Sequence, residues 1–383
     1  MILPGATLGV LGGGQLGRMF TMRARDMGYR VIILEPDASS PAGAVADRHL
    51  RAGYDDPAAL DTLADLCSAV TIEFENIPPA ALDRLAARIP VRPSPAAVAV
   101  AQDRILEKTF LRQHGFATAP FAAVARLTEL APALDAVGTP GLLKTSRLGY
   151  DGKGQATIHS LDQLRAAFAA FGDVPCVLEQ RLELEAELSV VLVRAEDGIV
   201  VPFPAGENIH RHGILDTTVV PARISSGAAA EAARLAGEVA AKLGYVGVLG
   251  VELFVACGGQ LFVNEIAPRP HNSGHYTLDA CSVDQFEQQV RALCGLPLGR
   301  PTLLSPVAMV NLLGEVWTGG PPRWDRALAL PGVKLHLYGK DEPRPGRKMG
   351  HLNCIAPTPD EALALARRAY AALGDHLQPE IGT

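Results

Sequence analysis

The sequence predicts an α/β protein with an N-terminal doubly wound parallel sheet and an α+β central part. A buried-strand pattern (6–11) is followed by a glycine loop (12–17), a helical stretch to Met27, and a second strand pattern (29–35). Further strand and helix patterns alternate up to about residue 100, an order typical of parallel sheets. Beyond it, apolar segments separated by glycine-rich turns predict β-hairpins.

Composition limits the classes to which this chain can belong. Its 383 residues are too many for one hydrophobic core, so we expect two or three domains. The net charge of −6 provides no basic excess for nucleic acid, and no apolar run is long enough for a membrane helix. Six scattered cysteines without a C-x-x-C pair fit a reducing cytoplasm better than disulfides or zinc. The N-terminus has no basic segment or cleavage site, so we expect no signal peptide.

The first glycine loop (12–17) matches the pattern G-x-G-x-x-G at Gly12, Gly14 and Gly17. Acidic Glu35 follows about 20 residues later, as in dinucleotide-binding sites. The alternative is a tight strand-to-helix turn, which any α/β domain can contain. Because N–H groups at a helix N-terminus suit any phosphate, the motif alone does not identify a ligand.

The second glycine loop (149–155) follows a short strand pattern that contains Lys144. Three glycines alternate there with Lys153 and other polar residues, so the loop could fold over a polyphosphate. Asp151-Gly152 is also a strong turn signal, and an ordinary hairpin is therefore the alternative. The nearby lysines favour the phosphate interpretation.

Two glutamates lie in the apolar strand patterns on either side of a turn at 257–259. Glu252 and Glu265 can approach one another if these strands pair as a hairpin. With the amide oxygen of Asn264 they make a set of hard oxygen ligands that suits Mg²⁺. The alternative is that one glutamate faces solvent. Glu179 and Glu187 lie at other strand ends, where purine recognition and simple solvent exposure are both open interpretations.

The proline loop (268–277) holds many polar side chains at the end of an apolar strand pattern. Pro268 and Pro270 predict a stiff, extended backbone there rather than a helix. A third, smaller unit is predicted after residue 300, where Gly and Pro become frequent. Its loop cations, Lys340, Arg344, Arg347 and Lys348, are either solvated or clustered as a preorganised anion site, and the surrounding Pro and Gly favour the second interpretation.

Taken in order, these motifs resemble those of ATP-grasp carboxylate-amine ligases, and more closely the N5-carboxyaminoimidazole ribonucleotide synthetase family of purine biosynthesis. The resemblance runs nearly end to end and includes the strings H-N-S-G-H-Y-T (271–277) and R-P-G-R-K-M-G-H (344–351). It implies an ATP-grasp architecture with three parts: an N-terminal Rossmann-like domain (1–101), a two-lobed ATP-grasp domain (102–300) and a C-terminal substrate-phosphate-binding domain (301–383). The mobile lid lobe is expected at about 113–183.

The resemblance also implies the reaction and the residues that perform it. The family converts 5-aminoimidazole ribonucleotide, bicarbonate and MgATP into the N5-carboxylated ribonucleotide, ADP and phosphate. The residues expected at ATP are Arg104, Lys144, Gly149, Tyr150, Asp151, Gly152, Lys153, Gly154, Gln155, Glu179, Gln180, Arg181, Leu182, Glu187, His210, Asn264 and Glu265. Mg²⁺ is expected on Glu252 and Glu265. The expected catalytic residues are Tyr150, Asp151, Arg269, His271 and Asn272. The residues expected at the ribonucleotide are Gln15, Leu16, Glu75, Tyr150, Asp151, Arg269, His271, Lys340, Arg347 and Lys348.

Several alternatives stay open at this point. Either His271 or Asp151 could accept the proton of the substrate amine. Another ATP-grasp ligase, such as a formate-dependent glycinamide ribonucleotide formyltransferase, would share the ATP and Mg²⁺ residues. A nicotinamide oxidoreductase and a non-catalytic nucleotide sensor are the alternatives from other classes. The resemblance further implies a cytoplasmic homodimer that acts on small molecules, without nucleic-acid or membrane partners.

Overall fold

A computed structural model describes residues 1–149 and 152–377, which fold around three β-sheets. The predictions for Tyr150 and Asp151 therefore lie outside the described residues, as does the segment 378–383. Across the described ranges, no helix combines the length and apolar character needed to span a membrane.

The first part of the chain forms a parallel sheet flanked by helices. Its elements are β1 (Thr7–Leu11), α1 (Gln15–Asp26), β2 (Arg30–Leu34), β3 (Arg48–Leu50), α2 (Pro57–Leu66), β4 (Ala69–Ile72), α3 (Pro79–Ala86) and α4 (Pro95–Ala101). The strands lie in the order β3-β2-β1-β4 and are all parallel. The order reverses at β1, and separate hydrophobic clusters cover the two faces, so the predicted doubly wound arrangement is confirmed. Gly28, with φ of +86°, follows the last turn of α1 as predicted for a glycine after a helix end.

The middle of the chain forms a small antiparallel sheet and most of a large one. Its elements are α5 (Arg104–Gln113), β5 (Phe121–Val124), α6 (Leu130–Val137), β6 (Gly141–Thr145), β7 (Gln155–Ile158), α7 (Leu161–Ala170), β8 (Cys176–Gln180), β9 (Leu184–Arg194), β10 (Val200–Pro202), β11 (Gly206–Arg211), β12 (Ile214–Val220), α8 (Ser226–Lys242), β13 (Gly247–Ala256), β14 (Gln260–Ala267), α9 (Thr277–Ala280) and α10 (Gln285–Cys294). The small sheet has the order β5-β8-β6-β7, and its β6-β7 hairpin flanks the second glycine loop.

The last part of the chain extends the large sheet. Its elements are β15 (Val307–Leu313), α11 (Trp324–Leu328), β16 (Val333–Leu337), β17 (Lys348–Ile355) and α12 (Pro359–Ala372). The nine-stranded sheet has the order β14-β13-β9-β11-β12-β15-β17-β16, with β10 paired to β9. Because β12 pairs with β15, backbone hydrogen bonds join the third predicted unit to the second. The domain boundaries themselves stay predictions.

Helix α10 attaches the central part to the N-terminal sheet. Phe286 and Val290 pack with Leu8 and Phe20 in one buried cluster. Gln289 of α10 also joins the two parts, because its Nε2 donates a hydrogen bond to a threonine hydroxyl of β4 at 2.8 Å. The burial of these apolar side chains is the main force that holds the two parts together.

The proline loop differs in part from the predicted extended backbone. His271 is extended, with φ of −114° and ψ of 149°, but a 3-10 turn at Asn272–Gly274 follows at once, and α9 comes next. A proline restricts its own φ and the residue before it, so the restriction ends at Pro270. The Ser273 N–H then donates to His271 Nδ1 at 3.4 Å, which helps to start the turn.

Stacked imidazoles connect the proline loop to the C-terminal strands. The His351 ring lies 4.6 Å from the His336 ring and 4.9 Å from the His275 ring, between centroids. The Tyr338 hydroxyl lies 2.9 Å from His351 Nδ1. His275 and His351 are fully buried, and burial lowers the pKa of both imidazoles well below its usual value. Both side chains are therefore neutral in the folded chain near neutral pH.

We expect the free energy of unfolding to fall as the pH drops below about 6.5, the usual pKa of histidine. In that window the unfolded chain binds protons that the folded chain excludes from His275 and His351, so acid favours unfolding. Each imidazole contributes about 1 kcal/mol per pH unit. Denaturant titrations of the wild type and of His351→Gln at several pH values measure the effect. The slope of unfolding free energy against pH should be smaller in the variant, by the equivalent of about one bound proton. An unchanged slope would contradict a neutral, buried His351.

Candidate functional site

The β13-β14 hairpin brings two glutamates together, as predicted. Glu252 lies opposite Glu265 in the antiparallel register, whereas the next pair is Leu253 with Val263. Asn264 is therefore the extra residue of a β-bulge, in which two residues of one strand face one residue of the other. The Asn264 amide nitrogen lies 3.5 Å from Glu252 Oε2, so the bulge directs both Asn264 and Glu265 towards Glu252.

The two carboxylates lie in an open crevice, and their pKa values are shifted in opposite directions. The Glu252 and Glu265 side chains keep 20 % and 40 % of their surface exposed, so a ligand can reach them. Loss of solvent and the Glu265 charge raise the pKa of Glu252 to about 7. Loss of solvent also opposes ionisation of Glu265, but the Arg104 guanidinium, 2.7 Å from its Oε2 atom, lowers the pKa of Glu265 to about 2. A bound cation would hold both groups ionised.

The oxygen atoms at this hairpin fit a magnesium ion. Asn264 Oδ1 is buried and has no hydrogen-bond partner, so a free hard oxygen lies beside the two carboxylates. In residues 1–149 and 152–377, no group of three or more His, Cys, Asp or Glu side chains could enclose a metal by itself. Two carboxylates and an amide leave coordination positions for water and phosphate oxygens, which is how Mg²⁺ is usually held at nucleotide sites.

A buried charge cluster lies where the small sheet meets α5. Glu179 Oε2 lies 3.2 Å from Lys108 Nζ, and its Oε1 lies 3.2 Å from Lys144 Nζ. Burial opposes ionisation of Glu179, but the charges of both lysines lower its pKa. Burial lowers the pKa of Lys144, and an anionic ligand would favour the charged lysine. Two lysines on one carboxylate therefore suit a phosphate nearby.

The described ends of the second glycine loop lie against both sheets. Arg104 Nη2 donates to the Gly149 carbonyl at 3.0 Å. On the other side, a Cβ atom added at Gly213, in the β11-β12 turn, would come within 2.5 Å of the Gly152 Cα. Lys153 and Gly154 follow in the loop, and Gln155 begins β7. The described residues of the loop, 149 and 152–155, therefore lie next to the crevice at the hairpin and next to the buried charge cluster.

The remaining predicted nucleotide residues lie on neighbouring strands. Glu187 on β9 places its Oε2 2.7 Å from His210 Nδ1 on β11. Burial opposes protonation of His210, yet the hydrogen bond that its Nδ1 donates to Glu187 and the charges of Glu252 and Glu187 raise its pKa. At the end of β8, the Gln180 N–H donates to the Pro120 carbonyl at 2.8 Å. Arg181 and Leu182 follow as the exposed and half-buried residues of the connection to β9.

The proline loop places its polar side chains beside the hairpin. His271 Nε2 lies 3.4 Å from Glu252 Oε1, and burial lowers the pKa of His271 to about 3. This position depends on Gly250, because a Cβ atom there would lie 2.8 Å from the His271 Cβ. Asn272 exchanges two amide hydrogen bonds with Asn311 of β15, at 3.0 and 2.9 Å.

Arg269 connects the proline loop to the N-terminal part. Its Nε lies 2.6 Å from Glu75 Oε2. Burial opposes ionisation of Glu75, but Arg269 lowers its pKa and keeps it charged. Sequence reasoning predicted both residues at the ribonucleotide, and the structure brings them into direct contact.

The C-terminal cations lie between and on the strands β16 and β17. Lys340 Nζ donates to the Lys348 carbonyl at 2.7 Å, and Arg347 Nη1 donates to the Glu342 carbonyl at 2.9 Å. The Lys348 charge contributes to the low pKa of His271, so Lys348 lies within electrostatic reach of the proline loop. Lys348 is thus brought near the proline loop, although β17 and the hairpin lie towards opposite edges of the large sheet.

The first glycine loop is filled by the protein's own carboxylates. Glu73 accepts hydrogen bonds from the N–H groups of Gly14 at 2.6 Å and Gly17 at 2.9 Å. Glu35 accepts one from the Gly13 N–H at 2.8 Å. A dinucleotide pyrophosphate would need these same donors, so the tight-turn interpretation is the one that the structure favours.

Gln15 and Leu16 form the first turn of α1, directly after the first glycine loop. Leu16 is 7 % exposed and packs with Phe20 in the core, so its side chain is committed to packing. Contact between this turn and a substrate stays a prediction.

Sequence reasoning missed three charged residues: Glu73 at the first glycine loop, and Glu107 and Lys108 beside the hairpin and the charge cluster. Glu107 lies on the same face of α5 as Leu111, which packs into the core, and Glu107 itself is 1 % exposed. A charge at a core-facing helical position is the signal that could have identified it, because such residues are almost never fully buried unless they are paired.

Family models match three consecutive parts of the chain. Residues 5–102 match the ribonucleotide synthetase preATP-grasp domain, residues 109–286 the ATP-grasp domain, and residues 307–365 the phosphoribosylaminoimidazole carboxylase C-terminal domain. The chain is 50 % identical over 357 residues to the N5-carboxyaminoimidazole ribonucleotide synthase of Brucella melitensis, covering 92 % of this chain and 97 % of that protein. It is 44 % identical to the Bacillus subtilis enzyme of the same name, covering 94 % of each.

Solved structures give the same result. A crystal structure of an N5-carboxyaminoimidazole ribonucleotide synthetase in complex with ADP has a TM-score of 0.92 and 41 % identity, covering 97 % of both chains. The Aspergillus clavatus enzyme, in complex with ADP and 5-aminoimidazole ribonucleotide, has a TM-score of 0.89 and 32 % identity, covering 97 % of this chain and 99 % of that one. By sequence, domain composition and fold, the chain belongs to the N5-carboxyaminoimidazole ribonucleotide synthase family of ATP-grasp ligases.

Proposed function

We propose that this chain carboxylates 5-aminoimidazole ribonucleotide at N5 in purine biosynthesis, using bicarbonate and MgATP and releasing ADP and phosphate. The observation that carries the proposal is the contact of 3.4 Å between Glu252 of the hairpin and His271 of the proline loop. A metal–phosphate site and an acceptor site in direct contact suit the transfer of an activated carboxyl group. The relative that was solved with both ADP and the ribonucleotide supports the same reaction.

The nucleotide is assigned to the crevice between the small and the large sheet. We assign the adenine edge to the end of β8, from Glu179 through Gln180, Arg181 and Leu182. The N–H groups of Gln180 and Arg181 already donate to the carbonyls of Pro120 and Pro140, so the other backbone groups of this segment would contact the base. Glu187 and His210 lie on the adjoining strands of the large sheet. The phosphates are assigned to the cations beside the second glycine loop, which are Arg104, Lys144 and Lys153. Fixed cations in a site that excludes water stabilise the charge that builds up on a transferring phosphoryl group.

Glu252 and Glu265 are assigned to Mg²⁺, with Asn264 Oδ1 beside them. When bound, Mg²⁺ neutralises the charge of the β- and γ-phosphates. Arg104 holds Glu265 ionised, so this carboxylate is ready to accept a cation at neutral pH. Glu252, whose pKa is about 7, would be held in its ionised form by a cation bound beside it.

The reaction follows from activation of bicarbonate. An oxygen of bicarbonate attacks the γ-phosphorus, ADP leaves, and carboxyphosphate forms. The substrate amine then attacks the carboxyl carbon, phosphate leaves, and the amine loses a proton. Because carboxyphosphate reacts with water, the site must be closed during transfer, and we assign this closure to the second glycine loop.

The ribonucleotide is assigned to the other side of the hairpin. Arg269, held by Glu75, and the cations Lys340, Arg347 and Lys348 supply positive charge for its phosphate and for the new carboxylate. Gln15 and Leu16 are assigned to its phosphoribosyl part. Tyr150, Asp151, Arg269, His271 and Asn272 are assigned to carboxylation, with either His271 or Asp151 as acceptor of the amine proton.

We also propose that the enzyme is a cytoplasmic homodimer. Its six cysteines are all free thiols, four of them buried, which suits a reducing compartment. Light scattering of the purified protein measures its mass in solution, and a mass of about 40 kDa, that of one chain, would contradict the dimer.

Purified protein should release phosphate from MgATP only when 5-aminoimidazole ribonucleotide is present, and should form the carbamate only with bicarbonate. A phosphate-release assay combined with ¹³C-bicarbonate incorporation measures both. Glycinamide ribonucleotide with formate serves as the control substrate pair. Equal phosphate release with the control pair would point to a formyltransferase, and release without any acceptor would contradict the proposed reaction.

Replacing Glu265 with Gln should lower turnover by about 100-fold or more while the chain stays folded, because the neutral amide no longer attracts a metal cation. Glu185→Gln is the matched control. Glu185 accepts the Gly258 N–H at 2.9 Å in the turn of the same hairpin but lies outside the crevice. Turnover and circular dichroism of both variants are compared. Wild-type turnover in Glu265→Gln would remove this residue from the metal site.

A further inference from the structure

Strand β14 is held on both sides of its bulge by hydrogen bonds from outside the sheet. It is the outermost strand of the large sheet, so N–H groups on its outer side have no neighbouring strand. The Val263 N–H donates to the Ala117 carbonyl at 2.8 Å, and the Ile266 N–H donates to Glu107 Oε1 at 2.5 Å. Asn264 and Glu265 are the two residues between these contacts.

The bulge explains why both N–H groups point outward. In a regular antiparallel strand, N–H groups alternate between the two sides, so residues three positions apart point in opposite directions. Val263 and Ile266 are three positions apart, and the extra residue Asn264 shifts the alternation by one. The two outward hydrogen bonds are therefore compatible with the bulge and incompatible with a regular strand.

Glu107 is an unusual group to find at this position. It is 1 % exposed and lies on α5 between Arg104 and Lys108; burial and the Glu265 charge raise its pKa to about 8, although the charges of Lys108 and Arg104 oppose the rise. A carboxyl oxygen that carries no proton can accept a backbone N–H whether the group is ionised or neutral. The bond is made to the residue directly after Glu265, so it fixes the backbone from which that side chain projects.

We propose that Glu107 is a positioning residue for the metal site. By accepting the Ile266 N–H it holds the bulge, and through the bulge it directs Asn264 and Glu265 towards Glu252. This inference rests on the proposed function of Glu252 and Glu265 as metal ligands. Groups that orient metal ligands from outside typically change metal affinity or activity by about 10- to 100-fold when they are removed.

Two substitutions separate the hydrogen bond from the charge. Glu107→Leu removes the acceptor, whereas Glu107→Gln keeps an oxygen that can accept the same N–H. Mn²⁺ is the probe, titrated in the presence of ADP and followed by electron paramagnetic resonance. We expect Glu107→Leu to bind Mn²⁺ about 10- to 100-fold more weakly than the wild type, and Glu107→Gln to stay within about threefold. The KM for the ribonucleotide should be unchanged in both variants.

Gln289→Leu is the matched control for loss of a buried hydrogen bond. Gln289 is 1 % exposed, and its Oε1 accepts the Val248 N–H at 2.6 Å near the start of β13. Its removal takes the same kind of bond from the same sheet, away from the bulge, together with the bond to the threonine of β4. This variant should bind Mn²⁺ as the wild type does. If Glu107→Leu does not fold, Glu107→Asp replaces it, because its carboxylate is withdrawn by about 1.5 Å with the charge kept.

Glu265→Gln in the same titration separates the two proposals. Wild-type Mn²⁺ binding by Glu265→Gln would overturn the metal role of the hairpin itself. Loss of binding in Glu265→Gln with wild-type binding in Glu107→Leu would leave the metal role intact and overturn the positioning role. If Glu107→Leu and Gln289→Leu weaken Mn²⁺ binding equally, the cause is a general loss of stability. If Glu107→Leu and Glu107→Gln weaken it equally, the cause is the lost charge. Either result would also overturn the positioning role.

Discussion

Two carboxylates that face one another in a crevice, Glu252 and Glu265, are the constraint on which the rest of the site depends. Their repulsion disfavours the state in which both are ionised. Arg104 of α5, which also contacts the second glycine loop, holds Glu265 ionised, whereas Glu252 lies beside the neutral His271 of the proline loop and has a pKa raised to about 7. The hairpin is therefore in contact with the second glycine loop through Arg104 and with the proline loop through His271.

The large sheet fixes the position of the hairpin relative to the C-terminal strands, because all of them belong to one hydrogen-bonded backbone. The hairpin lies at one edge, and the strands that border the C-terminal cations lie at the other end of the same hydrogen-bonded ladder. Asn272 adds a direct connection, because its amide pairs with Asn311 of β15 inside the protein. The separation between the two hairpin glutamates and the C-terminal cations is therefore set mainly by the hydrogen-bonded backbone of the sheet, and less by the conformations of long side chains.

Local patterns were sufficient to predict most of the fold and the residues of the hairpin. Strand β4 and the end of α1 at Gly28 follow from apolar runs and glycine, and the pairing of Glu252 with Glu265 follows from the turn between their strands. The pattern could not reveal contacts between distant segments. Glu73 reaches the first glycine loop across 59 and 56 positions, and Glu107 reaches Ile266 across 159. The bulge at Asn264 also escaped prediction, because one extra residue leaves the apolar pattern of the strand almost unchanged.

The contact between Glu73 and the first glycine loop has a consequence for how this domain relates to nucleotide-binding domains of similar shape. The carboxylate is tethered to the same chain as the N–H groups that it occupies, so its effective concentration there is far higher than that of a free ligand. A diffusing phosphate compound would have to compete with a hydrogen-bond acceptor that belongs to the chain itself. The hydrogen bonds to Glu73 thus connect the loop after β1 to the end of β4. We therefore expect the conformation of this loop to be independent of the concentration of nicotinamide nucleotides in the cell.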